Sequence, residues 1–167
     1  GEGVAATVPR VFAGASLVSI ARAADFPTRP ITLVVPYPAG GGVDAMARVV
    51  AQKLSDAFRQ TVTVDNRGGG GGTIGTRAVA RAAPDGYTLL LGETGEISIN
   101  QHWLKGLNYD PDKELEPIAL AAVVPLALVV PAKAPYSTMQ EFLAALKAKP
   151  KLTFASAGTG TPGFFAG

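Results

Sequence analysis

The sequence feature that most constrains the fold lies at residues 34–44, where an apolar run passes through a proline-stiffened loop and three glycines into a helical pattern. Residues 31–35 are apolar at nearly every position, which is typical of a buried strand. Residues 43–58 carry apolar side chains at the one-face spacing of an amphipathic helix. Such a turn exposes backbone N–H groups at the positive end of a helix, which favours an anion. The junction therefore predicts a strand–helix unit with an anion-binding turn.

The same alternation of strand and helix patterns continues along the chain. Further strands are predicted at residues 61–64 and 87–91, and further helices at residues 73–82 and 96–104. Strand–helix–strand–helix–strand order predicts right-handed crossovers and a parallel sheet, with ligand sites at the carboxyl ends of its strands. Glycine turns like the first recur at residues 92–95 and 156–161. We therefore expect the three turns to be used together.

The last third of the chain has a less regular pattern. Residues 109–116 are polar and predict a loop, and residues 117–131 form a long apolar run that one internal proline interrupts. That run is longer than an ordinary strand, so it predicts an extended segment that passes from one domain to another. Ser137 is the predicted N-cap of a helix at residues 138–148. Residues 152–155 are predicted to be a strand.

The predicted elements divide the chain unequally. We expect residues 24–120 to form a first α/β domain, and residues 121–167 to be a crossover segment with the start of a second α/β domain. One helix and two strands cannot close a hydrophobic core of their own. The sequence therefore predicts an N-terminal fragment of a longer protein, whose second domain is incomplete here.

Residues 1–23 predict a signal peptide that is removed on export. Residues 11–20 are apolar and rich in small side chains, and Ala21-Arg22-Ala23 fits the small-x-small cleavage pattern. The apolar run is too short to span a bilayer, which needs about 20 residues. The alternative interpretation is an N-terminal arm without a defined fold. If cleavage follows Ala23, the protein is exported to the periplasm.

Composition excludes several classes of function. The net charge is +2, from 15 basic and 13 acidic residues. Removing residues 1–23 takes away Arg10, Arg22 and Glu2 and leaves a near balance, which implies neither a nucleic-acid partner nor a membrane surface. The chain has no cysteine, which excludes a disulfide framework, thiol catalysis and zinc–thiolate sites. We expect no metal and no cofactor.

The glycine run at residues 68–72 invites a nucleotide-binding interpretation that the sequence disfavours. A Walker loop ends in Gly-Lys-Ser/Thr, whereas Gly72 is followed by Thr73 and Ile74. The dinucleotide pattern Gly-x-Gly-x-x-Gly does match residues 70–75, but this match follows the second strand. A flexible turn at a helix start is the simpler interpretation of the run.

Several single residues remain open to more than one interpretation. Asp44 is placed to cap its helix, to orient a water or to accept a hydrogen bond from a protonated ligand group. Glu93 would repel an anion in its turn unless its side chain points outward. His102 predicts structural packing or simple exposure, and no Gly-x-Ser-x-Gly elbow accompanies it. A solvated loop is predicted for the carboxylates, with a calcium site as the weaker alternative: Asp110, Asp112, Glu114 and Glu116.

Taken in order, several segments resemble the Bug/TctC family, the extracytoplasmic solute-binding receptors of tripartite tricarboxylate transporters. They are residues 27–38 with glycines 40–42 and Asp44, residues 64–67, residues 82–90, residues 109–111, and residues 154–158 with Gly160 and Thr161. Each segment is weak alone, but the ordered set is specific. Two positions depart from the family pattern. Gly68 stands where the family usually has proline, and Phe164 stands where many members have histidine.

The resemblance implies an α/β fold of the periplasmic binding protein type (type II, Venus flytrap), with parallel-type sheets flanked by helices. It implies a non-catalytic receptor that closes on a small organic carboxylate and delivers it to the membrane subunits of a tripartite transporter. Such a receptor would be periplasmic and, when complete, monomeric. The rival from another class is an α/β enzyme that binds a phosphate or nucleotide ligand through the same glycine turns.

The resemblance also implies which residues contact the ligand. Carried over by position, they are Tyr37, Pro38, Gly41, Gly42 and Asp44 in the first turn, Gly92 and Thr94 in the second, and Ser156, Ala157, Gly158, Thr159, Gly160 and Thr161 in the third.

Overall fold

The computed structural model describes residues 26–148 and 153–166. The predicted signal peptide at residues 1–23 therefore lies outside the described residues. The elements in chain order are β1 (Ile31–Val35), α1 (Gly42–Phe58), β2 (Val62–Asn66), a 3-10 turn (Gly70–Gly72), α2 (Thr73–Ala80), β3 (Thr88–Leu90), a π-helical turn (Gly95–Ile99), α3 (Asn100–Trp103), α4 (Pro111–Glu114), α5 (Met139–Ala148) and α6 (Pro162–Ala166).

The three strands form one parallel sheet in the order β2-β1-β3. Ile31 is the partner of Val62 in the register with β2, and Leu33 is the partner of Leu89 in the register with β3. The central position of β1 explains its near-continuous apolar sequence, because a central strand of a parallel sheet is covered on both faces. Four of its five residues are buried. The predicted parallel sheet with helical crossovers is confirmed.

Helix α1 supplies one face of the hydrophobic core. Ala47 and Ala51 are buried against the sheet, in a cluster that includes Ile31 and Val62. Small alanine side chains let the helix axis approach the strands closely, while Val43, Val50 and Leu54 cover the edges of the contact. The predicted amphipathic helix is confirmed within one residue of its expected start.

Two local predictions need correction. Residues 109–116 are not all loop, because Asp110 caps a one-turn helix, α4, by accepting a hydrogen bond from the Asp112 N–H at 3.2 Å. Helix α5 begins with Thr138 as its N-cap, not Ser137. The Thr138 hydroxyl accepts from the Glu141 N–H at 3.2 Å, and the Glu141 carboxylate accepts from the Thr138 N–H at 3.1 Å. This reciprocal pair is a capping box.

The predicted strand at residues 152–155 is wrong for the three of its residues that the structure describes. Residues 153–155 have no regular secondary structure and are exposed. A strand needs a neighbour for its backbone hydrogen bonds, and the one sheet within the described ranges is the three-stranded β2-β1-β3 sheet. Residues 117–130 are likewise irregular and largely exposed, with Ile118 80% and Val123 82% exposed. The division into two domains at residue 120 stays a prediction.

None of the helices in the described ranges is both long enough and apolar enough to cross a membrane.

Candidate ligand-binding site

The carboxyl ends of the three strands open onto one edge of the sheet. Backbone hydrogen bonds continue the ladder past the strands, with the Arg67 N–H donating to Val35 O at 2.8 Å and the Leu91 N–H donating to Val34 O at 2.9 Å. The loops that follow β1, β2 and β3 therefore leave the sheet side by side. This edge is where a parallel α/β sheet places its ligands.

The first turn leaves the N-terminus of α1 open. Gly41 is the N-cap and makes no side-chain capping bond, and the first helical bond runs from the Ala45 N–H to Gly41 O at 3.0 Å. Within the described ranges, the N–H groups of Gly41, Gly42 and Val43 have no backbone acceptor. Gly41 and Gly42 are exposed. A helix of 17 residues therefore presents its positive end to solvent.

The buried Asp44 carboxylate is hydrogen-bonded to the backbone of this turn. Its Oδ2 atom accepts hydrogen bonds from the Gly40 N–H at 2.8 Å and from Arg48 Nε at 3.0 Å. The Arg48 guanidinium, followed by the Gly40 N–H, lowers the pKa of Asp44. Its Oδ1 atom is buried and has no hydrogen-bond partner in the described part of the chain. The structure does not show the capping role expected for Asp44, because no side chain within the described residues caps α1 and the carboxylate instead accepts from the Gly40 N–H just before the helix. The other two expected roles stay predictions.

The second turn is occupied by a carboxyl group from the chain itself. Glu96 Oε1 accepts from the Glu93 N–H at 2.6 Å, and Glu96 Oε2 accepts from the Tyr37 hydroxyl at 2.6 Å. Glu96 is 0% exposed. Two glycines make room for it: a Cβ at Gly72 would lie 2.9 Å from Glu96 Cδ, and a Cβ at Gly92 would lie 2.7 Å from Glu96 Oε1. One side chain thus joins the loops that follow all three strands.

Burial decides the protonation of this carboxyl. It raises the pKa of Glu96 to about 7, and the hydrogen bonds from the Tyr37 hydroxyl and the Glu93 N–H only partly offset it. Burial also raises the pKa of Tyr37, followed by the negative charge of Glu96 and then that of Glu93. The four ion pairs in the described ranges use neither glutamate. The centre of the site is therefore an acid that is easily neutralised, not a fixed charge.

Glu96 was missed by the sequence interpretation, which drew attention to Glu93. Glu93 is half-buried, and its negative charge contributes to the raised pKa of Tyr37. The signal that could have identified Glu96 is its position just after Gly95 in the first turn of a helical stretch, where a carboxylate reaches back to free N–H groups. The adjoining Tyr109 hydroxyl donates to Glu96 O at 2.7 Å and is buried, which anchors the same helical turn.

The third turn packs directly on the other loops. The Thr159 carbonyl oxygen occupies the place where Gly71 would carry a Cβ, and the Gly160 carbonyl oxygen does so at Gly95. A Cβ at Gly160 would lie 2.8 Å from Asn100 Oδ1. Asn100 is 0% exposed, and its Nδ2 atom donates to Gly71 O at 3.2 Å.

Within the third turn, Thr161 is buried, and its hydroxyl donates to Gly158 O at 2.7 Å. Ser156 and Thr159 are exposed, as is Thr94 in the second turn, and their hydroxyl groups donate no hydrogen bond within residues 26–148 and 153–166. These three hydroxyls are the side-chain donors that the second and third turns offer to a ligand. Ala157 is exposed and Gly158 is half-buried.

The two positions that depart from the family pattern both lie in packed contacts. A Cβ at Gly68 would lie 3.1 Å from Pro38 Cδ, so a glycine here lets the second loop approach the first. The Phe164 ring packs at 5.5 Å from the Trp103 ring, tilted by 53°. The Phe164 side chain therefore packs α6 onto α3 and, being apolar, offers the site no side-chain hydrogen bond.

The structure gives little support to the nucleotide alternative. A phosphate at the 68–72 glycine run would meet Gly72, which is buried against the Glu96 carboxyl group. His102 is exposed, and no cluster of three His, Cys, Asp or Glu side chains that could hold a metal occurs in the described ranges. Among the acidic residues of 110–116, Asp110 instead pairs with Lys113 Nζ at 2.6 Å.

Sequence comparison places these turns among known receptors. A protein-family model described as the tripartite tricarboxylate transporter family receptor matches residues 46–165. A UPF0065 protein from the tcbD–tcbE intergenic region of Pseudomonas sp. (strain P51) is 46% identical over 137 residues, which is 81% of this chain and 40% of that protein. Protein BugT of Bordetella pertussis is 39% identical over 139 residues, which is 83% of this chain and 43% of BugT. The chain thus spans about two fifths of the length of these relatives.

Solved structures agree with the sequence comparison. MatC of Rhodopseudomonas palustris, solved with bound malate, is 34% identical with a TM-score of 0.69, over 74% of this chain and 42% of MatC. A second R. palustris protein, solved with adipate, is 33% identical with a TM-score of 0.78, over 82% of this chain and 46% of that protein. The periplasmic binding protein fold is therefore confirmed for the part of the fold that this chain contains.

Proposed function

This chain belongs to the tripartite tricarboxylate transporter receptor family, and on that premise we propose that the complete protein is a periplasmic receptor for a small organic carboxylate. The receptor is non-catalytic and hands its ligand to the membrane subunits of a tripartite transporter. The observation that carries the proposal is the open N-terminus of α1. Its exposed backbone donors lie at the edge of the sheet where the other two glycine turns also meet.

A carboxylate suits these donors for a physical reason. Its two oxygens only accept hydrogen bonds, and the free N–H groups of Gly41, Gly42 and Val43 only donate them. The helix dipole adds about 0.3–2 kcal/mol at one terminus, so the remaining affinity has to come from other groups. The exposed hydroxyls of Thr94, Ser156 and Thr159 provide them. Enclosure of the ligand strengthens each of these charge-assisted hydrogen bonds.

We assign the ligand contacts to the same three turns. They are Tyr37, Pro38, Gly41, Gly42 and Asp44, then Gly92 and Thr94, then Ser156, Ala157, Gly158, Thr159, Gly160 and Thr161. Backbone and hydroxyl donors carry the binding, whereas Tyr37 and Asp44 hold their loop in place through Glu96 and the Gly40 N–H. Closure of the two halves around the ligand then favours docking to the transporter.

The ligands of related structures support a carboxylate. The malate and adipate of the two R. palustris structures are both carboxylates, and those proteins share about a third of their residues with this chain over the aligned region. Two different carboxylates on one fold fit a site in which backbone donors recognise the carboxylate group and other residues choose the rest of the molecule.

The test is thermal melting of the protein expressed from the complete reading frame. The panel contains malate, adipate and other small carboxylates, with ATP, NAD and inorganic phosphate as the competing class. A true ligand at a hundred times its Kd stabilises the folded state by about 2.7 kcal/mol, which is readily detected. Stabilisation by a carboxylate, confirmed by calorimetric titration, supports the receptor. Stabilisation by a nucleotide or phosphate with none by any carboxylate would overturn it.

A further inference from the structure

The third glycine turn is held by a surface that contains almost no side chain. We call this surface, formed by Gly71, Gly95 and the side chain of Asn100, the glycine seat. Carbonyl oxygens of Thr159 and Gly160 lie where Gly71 and Gly95 would otherwise carry a Cβ. The contact is therefore backbone against backbone, which leaves no room for any larger residue on the seat.

Gly95 needs to be glycine because of this contact alone. Its φ is not in the left-handed region, unlike those of Gly71 (φ +63) and Gly160 (φ +86). An alanine at Gly95 would thus be free of left-handed backbone strain, and the nearest neighbours of its Cβ would be the Gly160 carbonyl and the Pro162 ring. Gly95 is also buried. A substitution here tests the contact without altering the backbone conformation.

Asn100 ties the seat to the turn that it holds. Its Nδ2 atom donates to Gly71 O at 3.2 Å, so it fixes the glycine loop on one side. Its Oδ1 atom faces Gly160 on the other side and is buried without a hydrogen-bond partner in the described part of the chain. Leaving a buried amide oxygen without a hydrogen-bond donor costs free energy. Its presence here therefore calls for a structural reason. The amide therefore acts as a spacer between the two loops.

Aromatic packing extends the contact beyond the turn. Trp103, at the end of α3, lies 5.5 Å from the ring of Phe164 and 5.5 Å from the ring of Phe165, both in α6. Trp103 is 45% exposed, and the two phenylalanine rings pack against it. The environment of the indole therefore changes if α6 moves away. The indole is a natural reporter of whether the third turn is docked.

We propose that the glycine seat is a latch, in which Gly95 and Asn100 are positioning residues that hold the ligand-binding turn 156–161 against the first two turns. They act through the turn and not on the ligand. The proposal rests on the proposed function in one respect, namely that residues 156–161 contact the ligand. It adds that residues not assigned to ligand contact set how much of the protein is competent to bind.

The experiment observes Trp103 by 19F NMR in the complete protein labelled with 5-fluorotryptophan, with its resonance assigned by Trp103→Phe. Gly95→Ala is the test variant. Gly163→Ala is the matched control, because the nearest atom to a Cβ at Gly163 would be Ser156 Cβ, at the ordinary contact distance of 3.9 Å. We expect the Trp103 resonance to move towards its position in denatured protein in Gly95→Ala and to stay unchanged in Gly163→Ala.

A second variant keeps the test decisive if Gly95→Ala does not fold. Asn100→Ser loses the bond to Gly71 O and the support under Gly160 but introduces no bulk, so it should shift the Trp103 resonance in the same direction. Far-UV circular dichroism checks the folding of both variants, and Asn100→Ser decides if Gly95→Ala does not fold. An unmoved Trp103 resonance in the folded variants would overturn the latch.

Affinity provides the second measurement. If Gly95→Ala lowers the docked fraction to about a tenth, the affinity for a carboxylate found by thermal melting falls about ten-fold, whereas Gly163→Ala binds like the wild type. The NMR measurement needs no ligand, so the two proposals fail separately. If no carboxylate in the panel binds, the receptor proposal is overturned. If the Trp103 resonance does not shift in the folded variants, the latch proposal is overturned.

Discussion

Two glycine turns follow parallel strands at the same edge of the sheet, and they differ in what their backbone donors bind. At the N-terminus of α1 the N–H groups of Gly41, Gly42 and Val43 find no backbone acceptor within the described ranges. In the turn after β3, the Glu93 N–H already donates to the buried carboxyl of Glu96. The open turn is suited to an external anion, whereas the filled turn satisfies its donor internally.

A glycine turn before a helix is therefore only a potential ligand-binding site. Both turns satisfy the same sequence pattern, and both are followed by helical backbone. What separates them is where the carboxyl group folds back. Glu96 accepts from the Glu93 N–H inside its turn, whereas Asp44 accepts from the Gly40 N–H before the helix and leaves the first N–H groups of α1 open. The filled turn gains a rigid link to Tyr37, and the open turn gains a place for a ligand.

The largest expected effect comes from a substitution that crowds Glu96, the residue whose carboxyl group occupies the filled turn. Gly72→Ala puts a Cβ 2.9 Å from Glu96 Cδ at a backbone φ of +88. Left-handed strain and overpacking together should destabilise the fold by about 3 to 4 kcal/mol. Urea unfolding measures this, with Gly42→Ala as the control from the open turn, where a Cβ meets nothing within 4 Å. Equal losses in both variants would show that the two turns do not differ.

The second effect concerns the charge in the filled turn. Because the folded-state pKa of Glu96 is raised from 4.5 to about 7, folded protein binds one more proton than unfolded protein between these values. Its contribution to stability is therefore present in full below pH 4.5 and is lost as the pH rises towards 7. The total amounts to at most about 3 kcal/mol. Glu96→Gln should abolish this loss.

The measurement for Glu96 is the free energy of unfolding from pH 5 to pH 8. The lowered pKa of Asp44 affects stability only at more acidic pH, since stability from a depressed carboxyl pKa is lost as pH falls through that value. The window therefore isolates Glu96. A slope that is the same in wild type and Glu96→Gln would mean that Glu96 is not the titrating group.

The third effect removes one donor from the open turn. Gly42 is the first residue of α1, where proline is well accepted, and Gly41 has φ −82 and ψ 173, which suits a residue before proline. Gly42→Pro should therefore keep the helix and lose one N–H, at a cost of about 1.5–3 kcal/mol in carboxylate binding. Calorimetric titration against Gly42→Ala measures it. Unchanged affinity would exclude this N–H from the ligand site.

The smallest effect comes from the link between the two turns. Tyr37→Phe removes the hydroxyl that donates to Glu96 Oε2, a hydrogen bond that holds the pKa of Glu96 down. The midpoint of the pH-dependent stability loss should rise by up to about one pH unit, equivalent to about 1.4 kcal/mol. The same pH series of unfolding free energies detects it. A lowered midpoint would contradict the assigned direction of this bond.

Much of the sheet and of helix α1 was predictable because their signals are local. The apolar run of β1 and the one-face pattern of α1 each report burial directly in the sequence, and both elements form where they were expected. The predicted cap of α5 is one residue off because Ser137 and Thr138 are both good caps. The Glu141 carboxylate accepts from both of their N–H groups, and only the bond from the Glu141 N–H to the Thr138 hydroxyl distinguishes them. The strand expected at residues 152–155 depended on a partner strand, which no local pattern specifies.

The sequence by itself determined the order of strands and helices, the parallel sheet, and the glycine turns that collect at one edge. These follow from periodicity and from the conformational freedom of glycine. The filling of the second turn is local, because Glu96 is three residues from the Glu93 N–H that it accepts from. The packed structure is what joins this turn to the first, because Tyr37 and Glu96 are 59 residues apart and meet only when β1 and β3 lie side by side. The docking of Gly160 on Asn100 has the same origin. Contacts between distant segments depend on the packed backbone, and no local pattern encodes them.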